Sequence, residues 1–340
     1  MKIIVSQSTD QRCSDKTLGA STSSWIQLII LSIIWGGAFF LIELALRGIS
    51  PGWLVAARMG AAAAFMCLLW AFQGFKLHTG STRNWRGLML LGVLNTSIPF
   101  FLLSWGQQHV SSSVAGVSMA SAGLIALPLS HYFVPDEIVT KQKIMGFSVG
   151  FFGILLLFNI GKNTSLGNSV ELAGLLACLF AASCYAMSSV LLKNLSMYHP
   201  VGLSALSMLV GALVSFLIAL GIEGTPPPVS NETVGVLLIL GIVPTAVANL
   251  IRIRIIRDAG PIFLSNVSYL CPAWAVVFGA LFLKDEISAS LIGGLIMILS
   301  GVAISQVSHR PTISLKYSFL CRERLQISKL PKFSSSKSEA

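Results

Sequence analysis

VPDEI at residues 134–138 and LKDEI at residues 283–287 lie 149 positions apart, and each stretch stands between two long apolar segments. Pro51 and Pro200 have the same separation, and each of these prolines opens an apolar segment. A membrane unit that is copied once along the chain explains both coincidences. Each copy then holds five apolar segments. Because five is an odd number, the second copy is inverted relative to the first.

The composition of the chain excludes a set of soluble domains, although 340 residues would be long enough for two or three. Hydrophobic residues make up 54% and charged residues 11%, whereas ordinary soluble domains carry about 25% charged residues. The mean hydropathy is +0.79. So few charged residues cannot keep a globular surface solvated by water. Lipid is therefore the solvent for much of the surface of this protein.

Ten apolar segments, each of about 17–23 residues, have the length that a helix needs to cross roughly 30 Å of hydrocarbon. A backbone in lipid must satisfy its own hydrogen bonds, which favours helices. The sequence predicts an all-α integral membrane protein with ten transmembrane helices, arranged as two inverted five-helix repeats. The apolar segments cover residues 25–46, 52–72, 87–105, 114–134, 144–160, 172–192, 201–222, 234–251, 261–283 and 289–307.

The predicted organisation of the chain has five parts. Residues 1–24 form a cytosolic N-terminal segment, residues 25–160 the first five-helix repeat, and residues 161–171 a linker. Residues 172–307 form the second repeat, and residues 308–340 form a basic, disordered cytosolic tail.

The Lys and Arg residues predict the orientation, because cytosolic loops of membrane proteins carry an excess of them. With both termini in the cytosol, nineteen of the 23 fall in cytosolic segments and three in outer loops, while Arg58 lies within a span. We therefore expect a protein of the plasma membrane, the inner membrane in a bacterium, with both termini cytosolic. Seven of the basic residues lie in the tail, which favours contact with membrane lipid and argues against nucleic acid as a partner.

Glu43 and Arg58 are the two strongly charged side chains placed well inside predicted spans. Ionisable groups inside a membrane are usually functional, which favours a substrate or proton site. The short turn between the first two helices also makes a mutual ion pair easy. The alternatives are a structural pair that fixes the first hairpin, or two side chains that extend to the outer surface.

Polar and aromatic residues at mid-depth, together with glycines and prolines, predict a small, weakly polar cavity lined with aromatic rings. For any single hydroxyl group, a hydrogen bond to its own helix is the alternative. The candidate substrate-binding residues are Trp35, Glu43, Arg58, Asn95, Tyr185, Asn249, Tyr269 and Pro272.

Trp105, Gln107 and Gln108 follow one another at the outer end of the third predicted span. They are candidate residues of a gate at the outer mouth of the cavity. Simple solvation of the two glutamines at the membrane interface is the alternative.

The sequence predicts no enzyme activity, no catalytic residue, no cofactor and no metal. His131 and Asp136 have the His-x4-Asp spacing of acyltransferases, but Pro135 and the end of a helix separate them. The six cysteines form no CxxC pair, and four of them lie within apolar segments, where packing is the simplest role. A phosphate-binding GxxxxGK[ST] motif does not occur, which argues against ATP as the direct energy source.

Several short motifs occur in the order and spacing of one family of membrane proteins. They are WGGAFF at residues 35–40, ISP at 49–51 with Arg58 seven positions after the proline, IPF at 98–100, WGQQ at 105–108, and YLCP at 269–272 with Gly279. Together they resemble the EamA-type ten-span permeases of the drug/metabolite transporter superfamily, over about residues 25–307. The two acidic stretches take the place of that family's Gly-Glu turns. The fourth span departs from the pattern, because SAG at 121–123 replaces a central proline and Pro128 comes later.

The resemblance implies transport of small metabolites, often amino acids or related compounds, and commonly outward. Inverted repeats are also recurrent in transporters, with the solute site between the copies. We therefore expect a permease or exporter that works by alternating access around a mid-membrane cavity. Its partners would be a small-molecule solute, membrane lipid and, through Glu43, protons, and an oligomer is not required. A multidrug efflux transporter is the alternative, and a membrane acyltransferase or a membrane scaffold is less favoured.

Overall fold

The computed structural model of the protein describes residues 21–77, 84–125, 141–157, 169–193, 195, 198–259, 261–264 and 266–307. Residues 1–20, the tail at 308–340 and most of the predicted linker therefore lie outside the described residues. The same holds for the first acidic stretch, with His131 and Asp136.

Ten helical segments run through the described residues, and each coincides with one of the predicted apolar segments. The first five are α1 Thr22–Leu46, α2 Pro51–Phe72, α3 Trp85–Gly106, α4 Ser112–Ala120 and α5 Lys141–Leu157. The second five are α6 Ser169–Lys193, α7 Pro200–Glu223, α8 in the pieces Asn231–Gly241, Ile242–Val247 and Ala248–Asp258, α9 Val267–Leu283 and α10 Ala289–Val307. A short helix, Pro261–Leu264, precedes α9.

The helices have the length and surface of membrane spans. Within the described residues, six of them are long and apolar enough to cross a membrane, and three further apolar helices are shorter. Large apolar side chains such as Phe72, Phe180 and Leu213 are exposed on the outside of the bundle, where lipid is their natural solvent. The predicted fold class, an all-α membrane protein of two inverted five-helix repeats, is confirmed.

The duplication is visible in the backbone. α3 contains a π-helical segment at Val93–Ser97, and α8 contains one at Ile242–Val247, so the two segments begin 149 positions apart. A π segment holds an extra residue in a helical turn, which interrupts the regular hydrogen-bond ladder and is common at functional sites. Each repeat therefore has an interrupted helix at the same place in its sequence. A further π segment, Gly279–Leu283, ends α9.

The helices α3 and α8 each pack against a helix of the other repeat. A Cβ atom added to Gly92 of α3 would lie 2.8 Å from Val210 Cβ on α7. A Cβ atom added to Gly241 of α8 would lie 2.6 Å from Ala61 Cβ on α2. Gly92 and Gly241 are 149 positions apart, as are Ala61 and Val210, so this close packing is related by the same internal symmetry.

Two further helix pairs lie along the boundary between the repeats. α2 packs along α7, with Met59, Met66 and Met208 in one buried apolar cluster. α5 packs along α10, where Leu157 and Ile298 belong to a second cluster. In each pair, a helix of the first repeat contacts its own counterpart in the second. The boundary between the repeats therefore runs through the middle of the bundle.

Candidate functional site

Arg58 lies in the centre of the bundle, at the point where α2, α3 and α8 meet. Pro51 begins α2, and two helical turns later the Arg58 side chain is only 3% exposed. Its Nε donates a hydrogen bond of 2.9 Å to Oγ1 of Thr245, within the π segment of α8. Its Cζ lies 3.9 Å from the centre of the Phe100 ring on α3, in a cation–π contact. The Nη1 atom is buried and has no hydrogen-bond partner.

The ion pair that the sequence suggested between Glu43 and Arg58 is wrong. Glu43 Oε2 instead accepts a hydrogen bond of 3.2 Å from the backbone N–H of Ser112, in the first turn of α4. The first N–H groups of a helix lack partners within the helix, and a carboxylate satisfies them well. Arg58 points away from that end, towards α3 and α8, so the two charges belong to different parts of the protein.

Tyr185 of α6 brings a second arginine into the centre. Its ring lies 6.3 Å from the Phe100 ring, between centroids. Tyr185 interacts electrostatically with both Arg58 and Arg252. Arg252 was not among the predicted site residues, because the eighth predicted apolar segment ends at residue 251. The helix continues to Asp258, which makes Arg252 a residue of α8 rather than of a loop.

Three other predicted residues make polar contacts near the middle of the bundle. Asn95 Oδ1, in the π segment of α3, accepts a hydrogen bond of 3.1 Å from Ser188 Oγ on α6. Trp35 Nε1 donates one of 3.2 Å to the carbonyl oxygen of Pro244, in the π segment of α8. Both bonds join the first repeat to the second. Asn249 Nδ2 donates one of 2.6 Å to Ser204 Oγ, within the second repeat.

The remaining candidates, Tyr269 and Pro272, lie on α9. Tyr269 packs against the same apolar cluster as Tyr185, and Pro272 is buried inside the helix. The glycine after Trp35 has a packing role here, since a Cβ atom on Gly36 would lie 2.8 Å from the Cys271 carbonyl oxygen. The Trp-Gly motif of α1 therefore fixes the close contact between α1 and α9.

One end of the bundle carries a cluster of carboxylates at the start of α4. Asp285 Oδ2 accepts hydrogen bonds from Ser112 Oγ (3.1 Å), Ser113 N (3.0 Å) and Ser113 Oγ (2.6 Å). Lys284, with φ of 61°, turns the chain at the end of α9, next to Asp285. Asp285 belongs to the repeated LKDEI stretch, so that stretch joins the second repeat to the first.

Glu223 forms a similar contact at the same end, and the sequence did not reveal it. At the end of α7, its carboxylate accepts hydrogen bonds from Ser50 Oγ (2.5 Å), Gly52 N (2.8 Å) and Trp53 N (3.1 Å). Ser50 makes no side-chain cap to the first turn of α2, so the exposed N–H groups there needed another acceptor. We call the contacts of Glu223 with α2 and of Asp285 with α4 the carboxylate clamps.

The three gate candidates differ in their surroundings. Gln107 is 5% exposed, and its Nε2 donates a hydrogen bond of 2.9 Å to the Phe39 carbonyl oxygen on α1. Simple solvation therefore does not describe Gln107. Gln108 is exposed, and Trp105 contacts the His109 ring with 4.7 Å between centroids. Their part in a gate stays a prediction.

Several hydroxyl groups within the spans bond to their own helix, as the sequence allowed. Ser183 Oγ donates to the Leu179 carbonyl oxygen at 2.9 Å, and Ser118 Oγ donates to the Val114 carbonyl oxygen at 2.8 Å. In the part of the chain that the structure describes, no group of three or more His, Cys, Asp or Glu side chains could hold a metal ion.

A solved crystal structure shares the fold of the chain. It has a TM-score of 0.61 and 19% sequence identity, and the match covers 85% of this chain and 99% of the other.

Curated relatives are similar in sequence over most of the chain. An uncharacterized transporter of Clostridium kluyveri is 26% identical over 67% of this chain and 74% of its own length. The uncharacterized transporter YoaV of Bacillus subtilis is 22% identical over 81% and 94%. The uncharacterized inner membrane transporter YedA of Escherichia coli is 27% identical over 74% and 80%.

A family model matches the chain twice, once for each repeat. The model of the EamA-like transporter family covers residues 23–159 and again residues 170–306. The two matches together span most of the sequence and agree with the duplicated backbone. The chain therefore belongs to the EamA-like transporter family of the drug/metabolite transporter superfamily, and it is an integral membrane transporter of small molecules.

Proposed function

We propose that the protein carries small metabolites across the plasma membrane by alternating access, with the solute held between the two repeats at mid-membrane. The observation that supports this most is the hydrogen bond from Arg58 of the first repeat to Thr245 of the second. A buried arginine in a membrane span is costly and usually functional. In transporters built from inverted repeats, the solute site lies at the boundary between them.

The interrupted helices α3 and α8 support the same proposal. Transporters often build their central sites from helices that are broken at mid-membrane, because irregular backbone is tolerated there only beside protein or a cavity. Here the π segments carry Asn95 and Thr245, two of the polar residues at the centre. A change of helical geometry at these segments would move the two halves of each helix against one another.

The carboxylate clamps supply a way to hold one end of the bundle closed. Both carboxylates belong to the second repeat, and both accept hydrogen bonds from helix starts of the first. Charge-assisted hydrogen bonds of this kind are stronger than neutral ones. We infer that the clamps form when this end is closed and separate when the repeats rock apart to open it.

Two further parts of the proposal concern orientation and energy. The distribution of Lys and Arg supports cytosolic termini, which would place the carboxylate clamps on the outer side. Glu43 lies beside the clamp of Asp285, bound to Ser112. We propose that Glu43 exchanges a proton during the cycle, so that the solute gradient or a proton gradient drives transport.

Alternating access can be tested with a single cysteine before the solute is known. In a variant that lacks the six native cysteines, Asn95→Cys places a thiol at the centre of the bundle. A membrane-impermeant methanethiosulfonate reagent should modify this thiol from either side of the membrane. The control is Phe151→Cys, at a position that faces lipid and is 47% exposed, where neither side should give modification. Access to residue 95 from one side only, under all conditions, would contradict the proposal.

A multidrug exporter is the second candidate function, favoured by the aromatic rings of Phe100, Tyr185 and Trp35 around the centre. Toxicity profiling of cells that overproduce the protein separates the two candidates. Resistance to many unrelated compounds would favour the multidrug exporter. Resistance confined to one class of metabolite analogues would favour the metabolite permease.

A further inference from the structure

The centre of the bundle contains two positive charges from different repeats. Arg58 comes from α2 of the first repeat, and Arg252 comes from α8 of the second. Each interacts electrostatically with Tyr185, which lies on α6. Arg58 is buried and Arg252 is partly buried. Arg252 also stands seven positions after Thr245, on the same face of α8. The two arginines therefore belong to the same central region of the bundle, and the guanidinium group of Arg58 is shielded from bulk water.

Within the described residues, the contacts of the Arg58 side chain are with Thr245 and Phe100, and neither carries a negative charge. Arg58 uses Nε for Thr245 and places its guanidinium over Phe100, while Nη1 is buried without a partner. Buried polar groups almost always have a hydrogen-bond partner, so an orphaned guanidinium nitrogen points to a ligand. A buried charge without a counter-charge also destabilises a fold strongly.

The internal symmetry shows that the fold does not need arginine at these positions. The counterpart of Arg58 in the second repeat, 149 positions later, is Ser207, whose hydroxyl donates to the Ser204 carbonyl oxygen of its own helix. The counterpart of Arg252, 149 positions earlier, is Leu103, a buried residue of the apolar cluster that contains Leu157 and Ile298. At each of these two pairs of equivalent positions, one repeat therefore has an arginine and the other has a serine or a leucine. A role in binding explains this asymmetry, whereas a role in packing does not.

We propose that Arg58 and Arg252 bind the anionic group of the transported solute, a carboxylate or a phosphate, beside Tyr185. The proposal rests on the proposed function, and it adds the chemical class of the solute. A guanidinium group presents parallel N–H donors that match the oxygens of a carboxylate or phosphate. A binding site with two positive charges repels organic cations, so cationic drugs are excluded as substrates of this site.

The chemical class of the solute can be determined by metabolite analysis of cells. Small molecules are compared in the medium and in the cytosol of cells that produce the protein and of cells that lack it. We expect the compounds whose distribution changes to carry a carboxylate or a phosphate. A set of neutral or cationic compounds would overturn the inference while the proposed function stands. No difference for any compound would contradict the proposed function itself, and the inference with it.

A pair of arginines on α8 then tests the site. Arg252→Ala should lower the uptake rate of the identified anion into proteoliposomes at least tenfold, and Arg252→Lys should retain part of it. Arg254→Ala is the matched control, because Arg254 is exposed and lies two positions further along the same helix. Its rate should remain within twofold of the unchanged protein. Uptake by Arg252→Ala at the rate of the control would overturn the inference.

Binding is measured separately, so that a fault in transport is not mistaken for a fault in recognition. The identified anion should raise the thermal unfolding temperature of the purified protein, and its uncharged amide or ester should not. The same measurement is made on Arg58→Lys. This variant keeps the positive charge of the first arginine, so the test does not depend on a variant that loses the charge and fails to fold. If the anion and its uncharged analogue raise the unfolding temperature equally, the site does not recognise the negative charge, and the inference is overturned.

Discussion

Arg58 and Thr245 are joined by a hydrogen bond of 2.9 Å that connects the two repeats at the centre of the bundle. Thr245 Oγ1 accepts from Arg58 Nε and also donates to the Leu240 carbonyl oxygen at 2.8 Å, so both capacities of the hydroxyl are used. The counterpart of Thr245 in the first repeat is Thr96, whose hydroxyl donates to the Gly92 carbonyl oxygen of its own helix. The same residue type thus contacts a charge in one repeat and only backbone in the other.

Thr245→Val should destabilise the protein more than Thr96→Val does. The first change leaves the buried Nε of Arg58 without its acceptor, and hydrogen bonds to charged groups contribute about 1.5–3 kcal/mol. The second change removes only a bond within one helix, which we expect to cost about 1 kcal/mol or less. Thermal unfolding of the two purified variants in detergent compares them directly. Equal losses would show that the contact with Arg58 does not stabilise the boundary between the repeats.

Gly241→Ala should weaken the packing of α8 on α2. The new methyl group would lie 2.6 Å from both Ala61 Cβ and the Arg58 carbonyl oxygen. Overpacking of this kind typically costs about 1–3 kcal/mol. Gly235→Ala is the control on the same helix, since a Cβ atom there meets nothing within 4 Å. Thermal unfolding should show a loss for Gly241→Ala and none for Gly235→Ala, and similar values for both would argue against the close contact.

Asp285→Ala should alter the transport cycle, whereas Glu286→Ala should not. Asp285 accepts three hydrogen bonds from the start of α4, and Glu286 is exposed although it is the next residue. Loss of the clamp should favour the state that is open at this end. A cysteine at Ser112 should then react faster with an impermeant thiol reagent in the Asp285→Ala background. If the two backgrounds react at the same rate, the clamp does not hold this end closed.

Glu43→Gln should uncouple transport from protons without loss of the folded protein. Glutamine keeps an oxygen that can accept from Ser112 N but cannot exchange a proton at physiological pH. Uptake of the identified solute into proteoliposomes is measured with and without an imposed pH gradient. The gradient should stimulate the unchanged protein and the control Glu232→Gln, whose side chain is exposed. Full stimulation of Glu43→Gln would assign proton coupling to another residue.

The sequence predicted the fold well because its main signals are local. Apolar segments of membrane length and the separation of 149 residues between Pro51 and Pro200 were sufficient for ten helices in two repeats. The π segments at Val93 and Ile242 then appeared with the same separation. Helix existence follows from composition and length, which a single sequence displays directly.

The site was less predictable because it depends on which helices face each other. Arg58, Asn95 and Tyr185 were predicted as candidates because polar groups inside apolar segments stand out, and the structure places them near the middle of the bundle. Arg252 was missed because the arginines at its end of α8 lower the hydropathy, so the predicted span stops at residue 251 although the helix continues to Asp258. Glu43 was paired with the wrong partner, since sequence proximity suggested Arg58 while the start of α4 offered free N–H groups.

Labelling of two equivalent loop positions tests the inverted repeat most directly. Lys76 and Thr225 are exposed residues that follow α2 and α7, and they are 149 positions apart. Lys76→Cys and Thr225→Cys, each in a variant without native cysteines, are exposed to a membrane-impermeant maleimide in spheroplasts. Inverted repeats predict that Thr225→Cys reacts in intact spheroplasts and Lys76→Cys only after the membrane is opened. Reaction of both cysteines from the same side would contradict the account.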